Sequence, residues 1–131
     1  MLEEIISTAE LRSALRRFFR TTEICARKSG LTPRQYLLLL LVKGASDRSE
    51  CATIGALSER MQLAQSTVTE LVARAVAAGL VTATNSKDDG RVTEVRVATE
   101  GERRLVECFE LLGTERRALL DALEDHLFVP A

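Results

Sequence analysis

The sequence predicts a mainly α-helical fold with one small β-hairpin, and three observations lead there. Apolar residues recur at helical spacing through most of the chain, only two prolines interrupt it, and the hydrophobic period changes once, over residues 80–97, from about 3.6 residues to about 2. With 131 residues, 46% of them hydrophobic and 28% charged, the chain fits a single globular domain with one core, residues 1–131.

Each element has its own signal. From about Leu2 to Lys28, Leu11, Ala14, Leu15, Phe18, Thr22 and Cys25 share one face of a long first helix. Arg12, Arg16 and Arg20 form a row on another face, which reads as solvated rather than as a nucleic-acid contact. The second helix has the sharpest start, with Thr32 as N-cap, Pro33 in the first helical position, Gln35 closing a capping box and Leu31 stapled onto Tyr36. It runs to about Lys43 and stops at Gly44. Its run from Leu37 to Val42 is apolar on all sides, which implies burial in the middle of the domain.

A third helix opens near Thr53 with Ile54, Leu57 and Met61 on one side. After a short turn from Met61 to Gln65, a fourth helix points Val68, Leu71, Val72, Ala75 and Val76 inward and exposes Gln65, Ser66, Thr69, Glu70 and Arg74. Two helices joined by so short a turn form a helix-turn-helix. The fourth helix ends at Gly79, where a left-handed residue followed by apolar Leu80 fits a Schellman stop. Leu80 to Asn85 and Arg91 to Val97 then read as two strands around the polar turn Ser86 to Gly90. Gly101 lies early in a fifth helix that carries Leu105, Cys108, Phe109 and Leu112 on one side. Gly113 and Thr114 mark a break and a new cap before a last helix with Leu119, Leu120, Leu123 and Leu127.

Composition excludes several classes of function. Cys25, Cys51 and Cys108 are odd in number and lack C-x-x-C spacing, so neither a disulfide framework nor a zinc site is expected and the thiols read as buried or inert. The lone His126 has no ligand cluster around it in sequence, which speaks against a metal sensor. Without a second histidine, a nucleophile motif or a phosphate loop, the expectation is no enzyme and no cofactor. The longest apolar stretch, Tyr36 to Val42, is far short of the roughly 20 residues that cross a bilayer. Glu3 and Glu4 are unlike the start of a signal peptide, so a cytoplasmic location with no membrane association is expected. The net charge of −1 counts against nucleic-acid binding, but its distribution matters more. Residues 1–34 hold seven Lys/Arg against four Asp/Glu, whereas residues 99–131 hold four against eight. The acidity sits at one end and leaves a neutral to basic remainder.

This order of elements resembles the MarR family of winged helix-turn-helix regulators over nearly the whole chain. The segment Leu31-Thr32-Pro33-Arg34-Gln35-Tyr36 looks like that family's opening of the second helix, and Ile54 to Met61 resembles its helix before the turn. Gln65-Ser66-Thr67-Val68-Thr69 is similar to the start of its recognition helix, and Ala78-Gly79-Leu80-Val81 to that helix's end. Most specific is Asp89-Gly90-Arg91, the wing's aspartate two residues before an arginine, with the glycine-led helix Gly101-Glu102-Arg103 at the expected distance beyond. Four positions depart from the pattern. Ala64 stands where the family commonly has a capping serine, leaving Ser66 as a substitute cap, and Ala98 replaces a threonine, leaving Thr99. Gln62 replaces a turn glycine, and Glu70 occupies a position that is frequently basic.

The resemblance implies a sequence-specific DNA-binding transcription regulator, a repressor released by a small, often aromatic, effector. The alternatives are control by thiol oxidation, or a winged-helix module that binds protein and has little affinity for DNA. It divides the chain into a winged-helix DNA-binding lobe over about residues 31–99 and dimerisation helices over about 1–29 and 100–131. Gln65, Ser66 and Thr69 are the candidates for base-edge or nearby phosphate contacts, Thr67 for the helix N-terminal contact region and Arg74 for phosphate. Lys87 and Arg91 are the wing's candidate phosphate and minor-groove contacts, with Asp89 orienting Arg91 through a charge-assisted hydrogen bond. The implied partners are double-stranded DNA with a pseudo-palindromic operator and a second copy of the chain. Leu2, Ile5, Ile6, Leu119, Leu120, Leu123, Leu127 and Phe128 are candidates for the dimer surface, or else for the monomer core. Phe18, Phe19 and Tyr36 could line an effector pocket, or belong to the core.

Overall fold

A computed structural model describes residues 1–127. The order is α1 (Leu2–Lys28), α2 (Pro33–Lys43), β1 (Cys51–Thr53), α3 (Ile54–Met61), α4 (Gln65–Ala77), β2 (Val81–Asn85), β3 (Thr93–Val97), α5 (Thr99–Leu111) and α6 (Gly113–Leu127). Phe128, a candidate for the dimer surface, lies outside the described residues.

The local signals place the helix ends as expected. Thr32 accepts a hydrogen bond from the Gln35 backbone N–H, and the Gln35 side chain accepts one from the Thr32 N–H, so the capping box is complete. Gly79 is left-handed, its N–H donates to Val76 and that of Leu80 donates to Ala75, which is the hydrogen-bond pattern of a Schellman stop. Leu80 thereby belongs to the helix end, and β2 begins one residue later than alternation suggests.

Two helix starts depart from expectation. Neither Ser66 nor Thr99 serves as a cap. Ala64 and Ala98 hold the N-cap positions of α4 and α5, in extended conformation and with no side-chain cap hydrogen bond. Burial also differs along two helices. Leu38, Leu39 and Val42 are buried, but Leu37 on the opposite side of α2 is exposed, because the other elements wrap only part of that helix. Val76 is 42% exposed, lying beyond the contact that Val68, Val72 and Ala75 make with the core.

The expected hairpin is part of a three-stranded antiparallel sheet in the order β1-β3-β2. Ala52 and Ala83 flank Val95 on its two sides, and Val95 is fully buried beneath the sheet. Strand β1 escapes a pattern-based reading because three residues are too few to show alternation, and its pairing partner lies more than 40 residues away in sequence.

The core gathers Ala26, Leu31, Tyr36, Leu38, Leu39, Val42, Leu57, Val68, Ala75, Leu80, Val95, Cys108 and Leu112 from helices and sheet alike. Gly101 is its tightest point, since a Cβ there would lie far closer to the Leu80 carbonyl oxygen than van der Waals contact allows. That carbonyl also accepts from the Ala98 N–H at 2.9 Å, which binds the start of α5 to the end of α4. Lys43 bridges Glu50 and Glu102 at 3.1 and 2.8 Å, and Arg104 reaches from α5 to the Gly30 carbonyl at 2.9 Å.

Candidate nucleic-acid interface

The turn between α3 and α4 is held from within. Ser58 Oγ donates to the Leu63 carbonyl at 2.6 Å, the Leu63 N–H donates back to the Ser58 carbonyl at 3.2 Å, and Gln62 turns the chain in a left-handed conformation with φ of 55°. Buried Leu57 anchors one helix and buried Val68, Val72 and Ala75 the other. Anchoring at i, i+4 and i+7 leaves the opposite face of α4 free, and there Gln65, Ser66, Thr69, Glu70 and Arg74 are all exposed. Thr67, beside Val68, is half-buried.

One contact on this face was not foreseen. Arg74 Nη2 lies 2.6 Å from Glu70 Oε1, so the guanidinium assigned to a phosphate is already engaged by a carboxylate. The i, i+4 spacing of opposite charges carried the signal for it.

Beyond the helix, β2 and β3 project a turn in which the Ser86 N–H donates to the Val92 carbonyl at 2.8 Å and the Val92 N–H to the Asp89 carbonyl at 3.0 Å. Lys87 and Arg91 are exposed on it. Asp89 does not hold the Arg91 guanidinium. Its carboxylate accepts from the Arg91 backbone N–H at 3.0 Å, an Asx turn that shapes the loop and leaves the arginine side chain extended into solvent. These two turns put a polar helix face and a hairpin tip that exposes Lys87 and Arg91 on either side of Asp88 and Asp89 on the same lobe, joined by only the few residues of the Schellman stop and β2.

The terminal helices show a different surface. Leu2, Ile5, Ile6 and Leu120 are exposed, and Leu119 and Leu123 are half-buried where α6 packs along α1. Leu127 closes α6 at the edge of the described residues. On α1 the arginine row is exposed to solvent, as its spacing implies. Arg12, Arg16, Arg20 and Arg27 line a shallow groove of about 650 Å³ with Leu15, Phe19 and Ile24. Of the three aromatic candidates for an effector pocket only Phe19, 60% exposed, reaches this groove. Tyr36 is in the core, and Phe18 is half-buried and packs edge-on to Phe19 at 5.9 Å. Among the described residues no group of His, Cys, Asp and Glu could hold a metal ion, and no helix is long and apolar enough to cross a membrane.

Comparison with known proteins agrees with this geometry. No curated protein sequence matches the chain. Among solved structures, a MarR family protein from Bacillus stearothermophilus is 28% identical, with a TM-score of 0.71 over 95% of this chain and 83% of that one. A cysteine-to-serine variant of Escherichia coli MarR complexed with operator DNA is 20% identical, with a TM-score of 0.70 over 98% of this chain and 99% of that one. Bordetella bronchiseptica BpsR, whose DNA binding is regulated by 6-hydroxynicotinic acid, is 18% identical with a TM-score of 0.62, covering 92% and 91% of the two chains. The MarR family model matches residues 29–92, which run from the end of α1 through the helix-turn-helix to the turn between β2 and β3. That match falls on the helix-turn-helix and wing, so residues 29–92 form a MarR family segment, and the three solved structures share the fold over 92%, 95% and 98% of the chain.

Proposed function

We propose that this protein is a dimeric, sequence-specific DNA-binding transcription regulator, a repressor that a small ligand releases from its operator. The observation that carries the reading is the exposed polar face of α4, anchored by Val68, Val72 and Ala75, with Lys87 and Arg91 exposed on the hairpin turn that follows it. A helix that enters the major groove needs short polar side chains outside and apolar anchors inside, and a wing needs cations at its tip. In this reading Gln65, Ser66 and Thr69 meet base edges or adjacent phosphates, with Thr67 close by at the helix start. Arg91 enters the minor groove and Lys87 meets phosphate. Residues 31–99 form the reading lobe, and the helices on either side of it join two copies, so that two lobes face two half-sites. The E. coli relative bound to operator DNA and the regulation of BpsR by a small aromatic acid support DNA and an effector of that class as partners.

Arg91 tests the reading most directly. Arg91→Ala should weaken binding to every duplex by roughly 1–3 kcal/mol per site and make the dependence of log affinity on log salt shallower by about one unit per subunit. Thr69→Ala should relax discrimination at one position of each half-site and leave the salt slope nearly unchanged, because a neutral side chain releases no ions. Fluorescence anisotropy with fragments from beside the protein's own gene and with random DNA, at several salt concentrations, measures both. If Arg91→Ala kept wild-type affinity and slope, the hairpin would be purely structural, and a protein-binding module would be the better reading.

A further inference from the structure

We infer that Glu70 and Arg74 work as one exchangeable unit on the reading face, in which Glu70 selects cytosine and only then frees Arg74 for a phosphate. The inference rests on the DNA-binding reading above. Glu70 and Arg74 are the only charged residues in α4, and they are joined at 2.6 Å, so the helix approaches a duplex electrically neutral. Their side chains are 65% and 74% exposed, and neither has a further ion-pair partner among the described residues. So exposed a pair is weakly held and readily exchanged for other partners.

The two residues share a strip with Ser66, one turn earlier on the helix, so a duplex that meets Ser66 and Thr69 also meets Glu70. An ionised carboxylate only accepts hydrogen bonds. Against guanine N7 and O6 or thymine O4 it faces acceptors, and at adenine the N6 donor sits beside the N7 acceptor, whereas cytosine offers its N4 amino donor with no ring acceptor beside it in the groove. On unselected DNA, Glu70 therefore stays with Arg74, and the arginine releases no counterion. Where cytosine stands at the right step, the carboxylate moves to N4 and the guanidinium turns to the neighbouring phosphate. Selectivity then comes from withholding a cation at wrong sites as well as from the base contact at the right one.

The test compares wild type, Glu70→Gln and Arg74→Ala on two duplexes of equal length and composition, over a range of salt. One is the tightest binder recovered from a random-sequence library, and the other is its scramble. Arg74→Ala should lower the log–log salt slope on the selected duplex by about 0.9 per subunit and leave the slope on the scramble nearly unchanged. Glu70→Gln should tighten binding to the scramble and steepen its slope by about 0.9 per subunit. It should also cut the penalty for replacing cytosine at one position of each half-site by at least about fivefold. Equal loss of slope on both duplexes with Arg74→Ala would mean that Arg74 is free throughout, and would overturn the inference. So would scramble binding unchanged by Glu70→Gln. Both results would leave the DNA-binding reading intact, whereas a wild-type protein that enriched no duplex from the library would overturn that reading and this inference together.

Discussion

Tyr36, Cys25 and Cys108 meet in the core where α1, α2 and α5 converge, and the protons of Tyr36 and Cys108 respond to that burial. Burial, reinforced by the neighbouring Cys25, pushes the Cys108 thiol from 9.0 to about 11, and burial with Cys108 beside it pushes the Tyr36 hydroxyl from 10.0 to about 12. Both groups keep their protons in the folded chain at pH values where the unfolded chain has lost them. The native state then binds more protons than the unfolded one, and stability falls as pH rises. The urea midpoint should hold steady from neutral pH to about 9 and then decline through the window from 9 to 12 that these groups define. Cys108→Ala should remove the earlier part of that decline, and an unchanged profile would refute the assignment. The same burial makes Cys51, half-buried on β1, the first thiol to react with a maleimide in the native protein. Mass spectrometry after brief labelling would count against this if Cys108 were modified as fast.

Among the elements, α4 and α5 carry the functional geometry, and each has one weak joint. Helix α4 starts at Ala64, whose extended backbone suits a cap but whose methyl group accepts nothing. Ala64→Ser should therefore raise stability by about 1 kcal/mol in urea unfolding, and no gain would mean that water already serves those N–H groups equally well. Helix α5 depends on Gly101, where any side chain would strike the Leu80 carbonyl that closes α4 and opens the wing. Gly101→Ala forces α5 outward and should cost about 1–3 kcal/mol. Because Leu80 also fixes where β2 leaves the helix, the same variant should weaken DNA binding even at temperatures where it is fully folded. Loss of stability with unchanged affinity would show that wing and recognition helix are positioned independently of α5.

For the molecule as a whole, the exposed Leu2, Ile5, Ile6 and Leu120 mark an apolar surface at the ends of the chain, away from the helix-turn-helix. Water contact with so many large aliphatic side chains is unfavourable, and a second copy related by a two-fold axis would cover them symmetrically. The expected species is a homodimer at micromolar concentration, and Ile5→Glu combined with Leu120→Glu should shift it toward monomer and reduce affinity for a palindromic duplex. Sedimentation equilibrium reads both proteins, and a wild-type monomer would sink the expectation.

Local chemistry was legible in the sequence and long-range pairing was not. Thr32 with Gln35, Gly79 before Leu80, and the alternation of Thr93, Val95 and Val97 specify a helix start, a helix stop and a strand through atoms a few residues apart, and the structure has all three. The polar face of α4 was visible for the same reason, since a fixed helical period sorts inward from outward residues. Four features had to wait for the folded chain. Strand β1 forms because Cys51 to Thr53 meets Arg96 to Glu94 across the domain, a pairing no local pattern announces. Asp89 bonds the Arg91 backbone, and Arg74 turns to Glu70, because a flexible side chain takes the nearest partner that its surroundings leave open. Burial of one side of α2 and exposure of Leu37 on the other followed only from which elements packed against it. Hydrogen bonds and steric limits acting over one turn of chain are written in adjacent residues. The choice among distant partners depends on how all the elements fill space at once, and that is what the tertiary structure decided.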